Sequence, residues 1–140
     1  MKLGASEMFN STQIAGLNKL GDLMVPANAD FPAFSETGCT DKLDKVMSPA
    51  HKDDIMAFGI LLWVFNYLPR FAIRFLLNIL DQTERMPKLV AGPFRLLNLS
   101  LRGVVYSLYY SNHTSTHFQG DKVYDVIDFD VTCTPLSRSN

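Results

Sequence analysis

The stretch AFGILLWVFNYLPRFAIRFLLNIL, residues 57–80, decides the fold of this chain. It is almost wholly apolar, but it is interrupted by Pro69 and by two arginines, Arg70 and Arg74. Proline lacks a backbone N–H, and its ring clashes with the preceding helical turn. The stretch therefore predicts two consecutive helices, one that ends at about residues 67–68 and one that continues beyond Pro69 to about Gln82.

Length and charge argue against a membrane span in this stretch. No charged residue occurs in the fifteen positions between Asp54 and Arg70. A helix of that length measures about 22 Å, whereas the hydrocarbon core of a bilayer is about 30 Å thick. Extending the span to Leu80 would place two arginines near the bilayer centre, at about 2.5–3.5 kcal/mol each. We therefore predict no transmembrane span.

The first of these helices has no polar stripe. Only Gly59 and Asn66 interrupt the apolar surface of residues 55–68, whereas a helix in a small domain ordinarily turns one polar face to water. Two interpretations follow: a central helix covered on all sides by the others, or a surface meant for another protein. Residues 71–80 and 96–108 are also heavily apolar. Since three such helices compete for few neighbours, we expect some apolar surface to be left for a partner.

Local signals around this stretch predict an all-α fold. Asn10 is suited to cap a first helix, and Gln13 follows three positions on, as in a capping box. Thr40 is a candidate cap for a short helix that ends near residue 47. Ser48-Pro49 is predicted to begin the helix that contains the apolar stretch, and Pro93 to open the last long helix after a loop over residues 83–93.

The chain is predicted to form one domain, residues 1–140, a compact bundle of about four to five helices. Residues 1–9 and 132–140 are expected to be flexible ends. The tail is expected to be mostly irregular. Its segment KVYDVIDFDV, residues 122–131, alternates weakly between apolar and polar residues, which predicts a short strand or an extended segment.

Composition excludes several classes of protein. The chain is 47% hydrophobic and carries a net charge of −1, which argues against a disordered chain and against a nucleic-acid-binding polycation. Its two cysteines, Cys39 and Cys133, are too few for a disulfide scaffold. They are predicted to be free thiols, and a single structural disulfide between them is the alternative. Their spacing supports no zinc or iron–sulfur site.

No catalytic constellation is evident. His113 and His117, in HTSTH, have the spacing of helical metal ligands, but the surrounding residues predict a solvated loop. Asp125, Asp128 and Asp130 alternate along the tail and are predicted to form a solvated strand face rather than an acid–base or calcium site. We predict that the chain is not an enzyme by itself and holds no catalytic, cofactor-binding or metal-binding residue.

Three stretches together resemble a known family. LGDLMVPANADFPAFSETGC, residues 20–39, resembles the N-terminal signature of the gluconate 2-dehydrogenase subunit 3 family. FRLLNLSLRGVVYSLYYSN, residues 94–112, and FQGDKVYDVIDFDV, residues 118–131, resemble its C-terminal half. Members are small helical subunits that accompany a large FAD-dependent oxidoreductase of the glucose–methanol–choline type. The large subunit carries the flavin and the catalytic histidine, and the small one is thought to support its folding, stability or export.

The resemblance implies a partner-binding surface and no catalytic or flavin-binding residue in this chain, with FAD in the partner subunit. The candidate interface residues are Phe31, Phe34, Trp63, Tyr67, Arg70, Arg74, Tyr109 and Tyr110. For the aromatic residues the alternative is ordinary core packing. The two arginines either clamp a partner carboxylate or phosphate, or line a helix edge and pair with acids such as Asp81.

The N-terminus departs from many relatives, because it has no twin-arginine signal. We therefore expect a cytoplasmic complex, or a periplasmic one if a signal was removed or the partner carries it.

Three hypotheses remain. The first is a non-catalytic small subunit that binds and stabilises a large FAD-dependent alcohol or sugar dehydrogenase subunit. The second is a stand-alone helical module that binds a small apolar ligand in a cavity lined by Phe58, Trp63, Phe65 and Phe75. The third is a small enzyme that uses His113, His117 and the tail acids.

Overall fold

The all-α prediction is confirmed by a computed structural model, which describes residues 6–82, 85 and 87–128. Within these residues the chain forms helices and no strand. Their bounds are α1 Ser11–Met24, α2 Phe34–Thr37, a 3-10 helix Cys39–Lys42, α3 Leu43–Met47, α4 Lys52–Tyr67, α5 Arg70–Asp81, α6 Lys88–Tyr109 and α7 Val123–Val126. The described residues contain more helices than the predicted four to five, because the sequence pattern did not predict the single turns α2 and α7.

The capping box that starts α1 is confirmed. The Gln13 backbone N–H donates to Asn10 Oδ1, and the Asn10 backbone N–H donates to Gln13 Oε1, both at 2.9 Å. Helix α1 then packs along α4 at short range. A Cβ on Gly16 would lie 2.0 Å from the carbonyl oxygen of Leu62. Only glycine therefore allows this approach of the two backbones.

The break at Pro69 is also confirmed. Helix α4 ends at Tyr67, and Leu68 and Pro69 are extended, with ψ of 139° and 151°. The residue before a proline is pushed out of the helical region, which accounts for Leu68. The Lys19 ammonium group donates to the carbonyl of Asn66 at 3.1 Å and to that of Leu68. It thereby satisfies two carbonyls near the end of α4.

Two predicted helix starts before the apolar stretch are wrong. Thr40 caps no helix, because it lies inside the 3-10 helix that follows Gly38. The Ser48 hydroxyl donates back to the carbonyl of Lys45 at 3.1 Å instead of capping α4. Helix α4 begins at Lys52, after an extended His51. The local back-bond to Lys45 thus outweighs the Ser-Pro signal.

Pro93 does not open the last helix either. Helix α6 begins at Lys88, so Pro93 lies inside it, and residues 88–92 of the predicted loop are helical. A proline this close to a helix start removes one hydrogen bond, to the carbonyl four residues before it. Phe94 and Leu97 pack against the core, and their burial offsets that loss.

The core lies between α1, α4 and the inner sides of α5 and α6. Its fully buried large side chains are Leu17, Leu20, Phe34, Leu43, Leu62, Phe65, Ile73, Leu80, Leu101, Val105, Leu108 and Val123. Phe9 is buried as well, and its ring meets that of Phe58 edge to face at 6.1 Å. Of the N-terminal residues predicted to be flexible, Phe9 therefore packs in the core. Residues 132–140 lie outside the described residues.

The described part of the tail does not form the predicted strand. Val123–Val126 is a helical turn, with Val123 buried and Asp125 Oδ2 accepting a hydrogen bond from the Lys122 backbone N–H at 3.1 Å. This side-chain cap favours a helix start over an extended segment. Residues 129–131 lie outside the described residues. As predicted, none of the helices in residues 6–82 and 87–128 has the length and apolar character needed to span a bilayer.

Candidate docking surface on helix α4

Helix α4 has two apolar faces, and only one of them is covered. Phe58, Leu62 and Phe65 are buried against the core. On the opposite side stand Met56, Ile60, Trp63 and Tyr67, which we call the α4 outer face; their side chains are between 49% and 66% exposed. The spacing of four, three and four residues places all of them on one stripe of a helix.

This arrangement overturns one of the two interpretations of the apolar helix. The helix is not surrounded, because α1 packs along one side of it and leaves the α4 outer face open to water. The interpretation of a central helix covered on all sides is therefore wrong. An exposed row of four large apolar side chains is unusual on a small domain, and such patches mark sites of association.

The C-terminal end of the α4 outer face is aromatic and anchored. The rings of Trp63 and Tyr67 contact each other, with centroids 4.9 Å apart and planes inclined by 60°. Lys19 holds the backbone beside Tyr67 through the carbonyls of Asn66 and Leu68. Tryptophan and tyrosine are the residue types that most often dominate binding energy at protein interfaces. A fixed backbone also reduces the entropy lost on binding.

Two of the predicted interface residues belong to the core instead. Phe34 is fully buried against α1, where a Cβ on Gly21 would lie 2.1 Å from its ring. Tyr109 is buried too, and its hydroxyl donates to the carbonyl of Pro32 at 2.7 Å. Burial raises the pKa of Tyr109 above its ordinary value. Neither side chain is available to a partner in this fold.

The other two predicted aromatic residues are less buried. Phe31 is half-buried against the core. Tyr110 is exposed beyond the end of α6, and its ring contacts those of Tyr106 and Tyr109. Met56 and Ile60 were not predicted as interface residues. Their helical spacing with Trp63 and Tyr67, opposite the buried Phe58 row, is the signal that identifies them.

The predicted pairing of Arg70 and Arg74 with Asp81 is wrong. Both arginines are exposed, and neither forms an ion pair with any residue that the structure describes. Asp81 is engaged by Arg102 Nη2 at 2.5 Å and by Asn98 Nδ2 at 3.3 Å. Asn98 and Arg102 lie one turn apart on α6, and this spacing lets both reach the end of α5.

The predicted aromatic cavity does not form. Phe58 and Phe65 point into the core, whereas Trp63 and Phe75 are exposed, so the four side chains line no common space. A groove of about 600 Å³ lies instead along α6, next to the end of α5. It is open to solvent and is lined by Asp81, Gly92, Arg95, Leu96, Asn98, Leu99 and Arg102.

The histidines lie in a loop, as predicted. Of the tail acids, Asp125 lies within α7 and Asp128 follows it. His113 and His117 are exposed on a non-helical segment that follows Asn112, whose φ is +57°. Asp125 caps α7, Asp128 has a φ of +52°, and Asp130 lies outside the described residues. No group of three or more metal-binding side chains comes together in the described part of the chain.

Cys39 is a free, buried thiol. Burial raises its pKa from the ordinary value of 9.0 to about 11, against the opposing effect of a hydrogen bond with Thr37. A thiolate is the nucleophilic form of cysteine, so this environment disfavours reactivity. Cys133 lies outside the described residues.

Comparison of the chain with protein-family models, curated proteins and solved structures finds no match.

Proposed function

We propose that this chain is a non-catalytic small subunit that binds and stabilises a large FAD-dependent dehydrogenase subunit acting on alcohols or sugars. The observation that carries the proposal is the α4 outer face, a row of large apolar side chains left in water by the fold. The resemblance to the gluconate 2-dehydrogenase subunit 3 family supplies the identity of the partner. FAD and the catalytic residues belong to that partner, and the complex is cytoplasmic.

The energetics favour covering the α4 outer face. Its four side chains remain about half or more exposed. Completing the burial of a large apolar side chain in this state contributes about 1 kcal/mol, so the row contributes about 4 kcal/mol. That gain is a sizeable fraction of the 5–15 kcal/mol typical of a folded domain. A partner that covers the row therefore stabilises both proteins through the same contact.

Trp63 and Tyr67 are the proposed anchors. Met56 and Ile60 extend the contact along α4. Phe31 and Tyr110 contribute elsewhere on the surface. Arg70 and Arg74 belong to a second surface, on α5 and α6. No charged residue lies on α4 between Asp54 and its end at Tyr67. An uncharged contact of this kind resembles the core of a stable interface, where charged residues are depleted.

Co-purification from the native host tests this proposal. The chain is tagged, and the visible spectrum of the purified material is recorded. We expect a larger protein with the absorption bands of a flavin. The double variant Trp63→Ala/Tyr67→Ala should reduce recovery of that protein at least about tenfold, because each anchor lost from an interface costs about 1–2 kcal/mol.

Ile127→Ala is the matched control, because Ile127 is similarly exposed but lies on the tail, away from α4. It should leave recovery unchanged. A colourless chain that purifies alone as a monomer would contradict the subunit proposal, as would full recovery of the flavoprotein with the double variant.

The second candidate function is binding of a small apolar ligand. The groove along α6 supports it, because Leu96 and Leu99 line one side. Ligand pockets usually bury most of a ligand's surface, and this groove is open and carries Arg95 and the Asp81–Arg102 pair. A flavin-free chain that binds a hydrophobic fluorophore, and loses that binding on Leu96→Asp, would favour this function.

A further inference from the structure

A second surface of the molecule pairs basic and apolar side chains. On α5 and α6, four adjacent pairs are exposed in both members: Arg70–Phe71, Arg74–Phe75, Lys88–Leu89 and Arg95–Leu96. Their apolar members are between 66% and 92% exposed, at least as much as any residue of the α4 outer face. The fold therefore makes little use of these side chains.

The charge of this region differs in sign from that of the remaining chain. Residues 70–110 contain six of the thirteen basic residues and two of the fourteen acidic ones, a net charge of +4. The remaining residues carry seven basic and twelve acidic side chains, a net charge of −5. Of the two acids in the basic segment, Asp81 is already paired with Arg102. Such asymmetry indicates an anionic partner.

Helices α5 and α6 present this surface as one bonded unit. Asn98 Nδ2 donates to the carbonyl of Leu80 and to Asp81 Oδ1, both at 3.3 Å. Arg102 Nε donates to Asn98 Oδ1 at 3.0 Å while its Nη2 reaches Asp81. The inner sides of the two helices bury Ile73, Leu80, Leu101 and Val105. The end of α5 is therefore held against α6, while the outer side chains of both helices remain exposed.

The alternation of charge and apolar surface identifies the class of partner. At a bilayer interface the lipid phosphates lie a few ångströms from the acyl chains, so a base and a neighbouring apolar side chain each find a matching environment. The long stem of arginine or lysine follows the apolar surface while its charge reaches the phosphate. The core of a protein interface, by contrast, is depleted of charge. Nucleic acid bases can stack on exposed phenylalanine, but they offer no apolar layer for the exposed Leu89 and Leu96.

We propose that the outer side of α5 and α6 binds the surface of anionic lipid bilayers. Phe71 and Phe75 enter the headgroup–acyl boundary, and Arg70, Arg74 and Arg95 bind lipid phosphates. The contact is peripheral. It uses none of the residues of the α4 outer face, so a chain docked on a bilayer through α5 and α6 can still present α4 to a protein.

Vesicle co-sedimentation of the full chain tests the proposal. Vesicles of phosphatidylcholine alone are compared with vesicles of phosphatidylcholine mixed with phosphatidylserine. We expect at least about tenfold stronger binding to the mixed vesicles, and weakening by added salt, because anionic headgroups attract each basic residue near the surface. Arg70→Gln/Arg74→Gln should weaken this binding about thirtyfold, from the loss of two basic residues. Phe71→Ser/Phe75→Ser should weaken it at least about tenfold.

Ile127→Ser is the matched control, because Ile127 is an exposed apolar residue outside α4, α5 and α6, and this variant should sediment as the parent chain does. Circular dichroism of every variant checks that the helices are retained. The proposal is overturned if the parent chain stays in the supernatant with mixed vesicles, or if neither α5 variant changes sedimentation. It is also overturned if these residues bind an acidic protein and an excess of mixed vesicles does not displace that protein. A failure here leaves the co-purification result untouched, because that test varies only α4 residues.

Discussion

At the scale of single residues, Gly16 sets the distance between α1 and α4. A Cβ at this position would meet the Leu62 carbonyl, backbone atoms that cannot rotate aside. Gly16→Ala must therefore separate two helices whose contact buries Leu17, Leu20 and Leu62. We expect the free energy of unfolding to fall by about 1–3 kcal/mol, as for other overpacked cores. Urea denaturation followed by circular dichroism measures the change.

Gly103→Ala is the control for this prediction. Gly103 lies on α6, and a Cβ there would have no neighbouring atom within 4 Å. Alanine in an exposed helical position is about 1 kcal/mol more favourable than glycine, so this variant should be more stable than the parent. A loss of stability in both variants, or in neither, would show that the α1–α4 approach does not decide the effect.

Cys39 and Tyr109 give the stability of the fold a dependence on alkaline pH. Burial raises both pKa values, that of Cys39 from 9.0 to about 11. The folded chain therefore holds the thiol proton more tightly than the unfolded chain. The contribution of the protonated Cys39 thiol to the free energy of unfolding is complete below about pH 9 and is lost as the pH rises towards 11. We expect the free energy of unfolding to fall across this range.

Urea titrations at several alkaline pH values, in a Cys133→Ser background, measure this dependence. In Cys39→Ala the free energy of unfolding should fall less steeply with pH, and the remaining fall should be the part due to Tyr109. A native chain in which Cys39 reacts quickly with a thiol reagent near neutral pH would disagree with the burial of this side chain.

At the scale of elements, Lys19 controls how α4 ends. Its ammonium group donates to the carbonyls of Asn66 and Leu68, and a cation at a helix C-terminus also stabilises the helix dipole. Lys19→Met keeps the apolar stem and removes both hydrogen bonds. We expect the variant to unfold about 1–2 kcal/mol more easily and the amide of Leu68 to exchange its hydrogen faster.

Lys45→Met is the matched control, because Lys45 is exposed and its ammonium has no hydrogen bond or ion pair with the described part of the chain. It should change neither quantity. Unaltered exchange at Leu68 in Lys19→Met would indicate that Pro69 alone ends α4.

Helix boundaries could be predicted from the sequence where the signal depends only on neighbouring residues. The Asn10 capping box and the break at Pro69 need only neighbouring residues, and both are confirmed. Ser48 and Pro93 carry equally familiar local signals, but their outcome depends on other contacts. The Ser48 hydroxyl bonds Lys45, and the packing of α6 on the core accommodates a proline inside a helix.

The surface is predictable in kind but not in detail from the sequence. The surplus of apolar helix predicts that some of it stays exposed, and α4 shows where. Which face is covered depends on how Gly16 of α1 approaches Leu62 of α4, two residues that lie far apart in the sequence. The same tertiary packing buries Phe34 and Tyr109, which have the residue types of interface anchors.

At the scale of the whole molecule, the two exposed surfaces differ in charge. The α4 outer face has no charged residue after Asp54, whereas the outer side of α5 and α6 is basic. An uncharged apolar row left uncovered favours self-association. We therefore expect the isolated chain to associate through α4, with little dependence on salt concentration, because screening acts on charges and not on apolar contact.

Sedimentation velocity over a range of protein and salt concentrations measures this association. Trp63→Ser/Tyr67→Ser should shift the chain to monomer, and circular dichroism should show that its helices are retained, since Trp63 is 49% and Tyr67 66% exposed. Phe71→Ser/Phe75→Ser, on the basic surface, should leave the association as it is, because repulsion between like charges keeps two copies of that surface apart. If the α5 variant alone abolished association, or if salt strengthened it markedly, the copies would meet through α5 and α6. The α4 outer face would then lose its support as the surface that a partner covers.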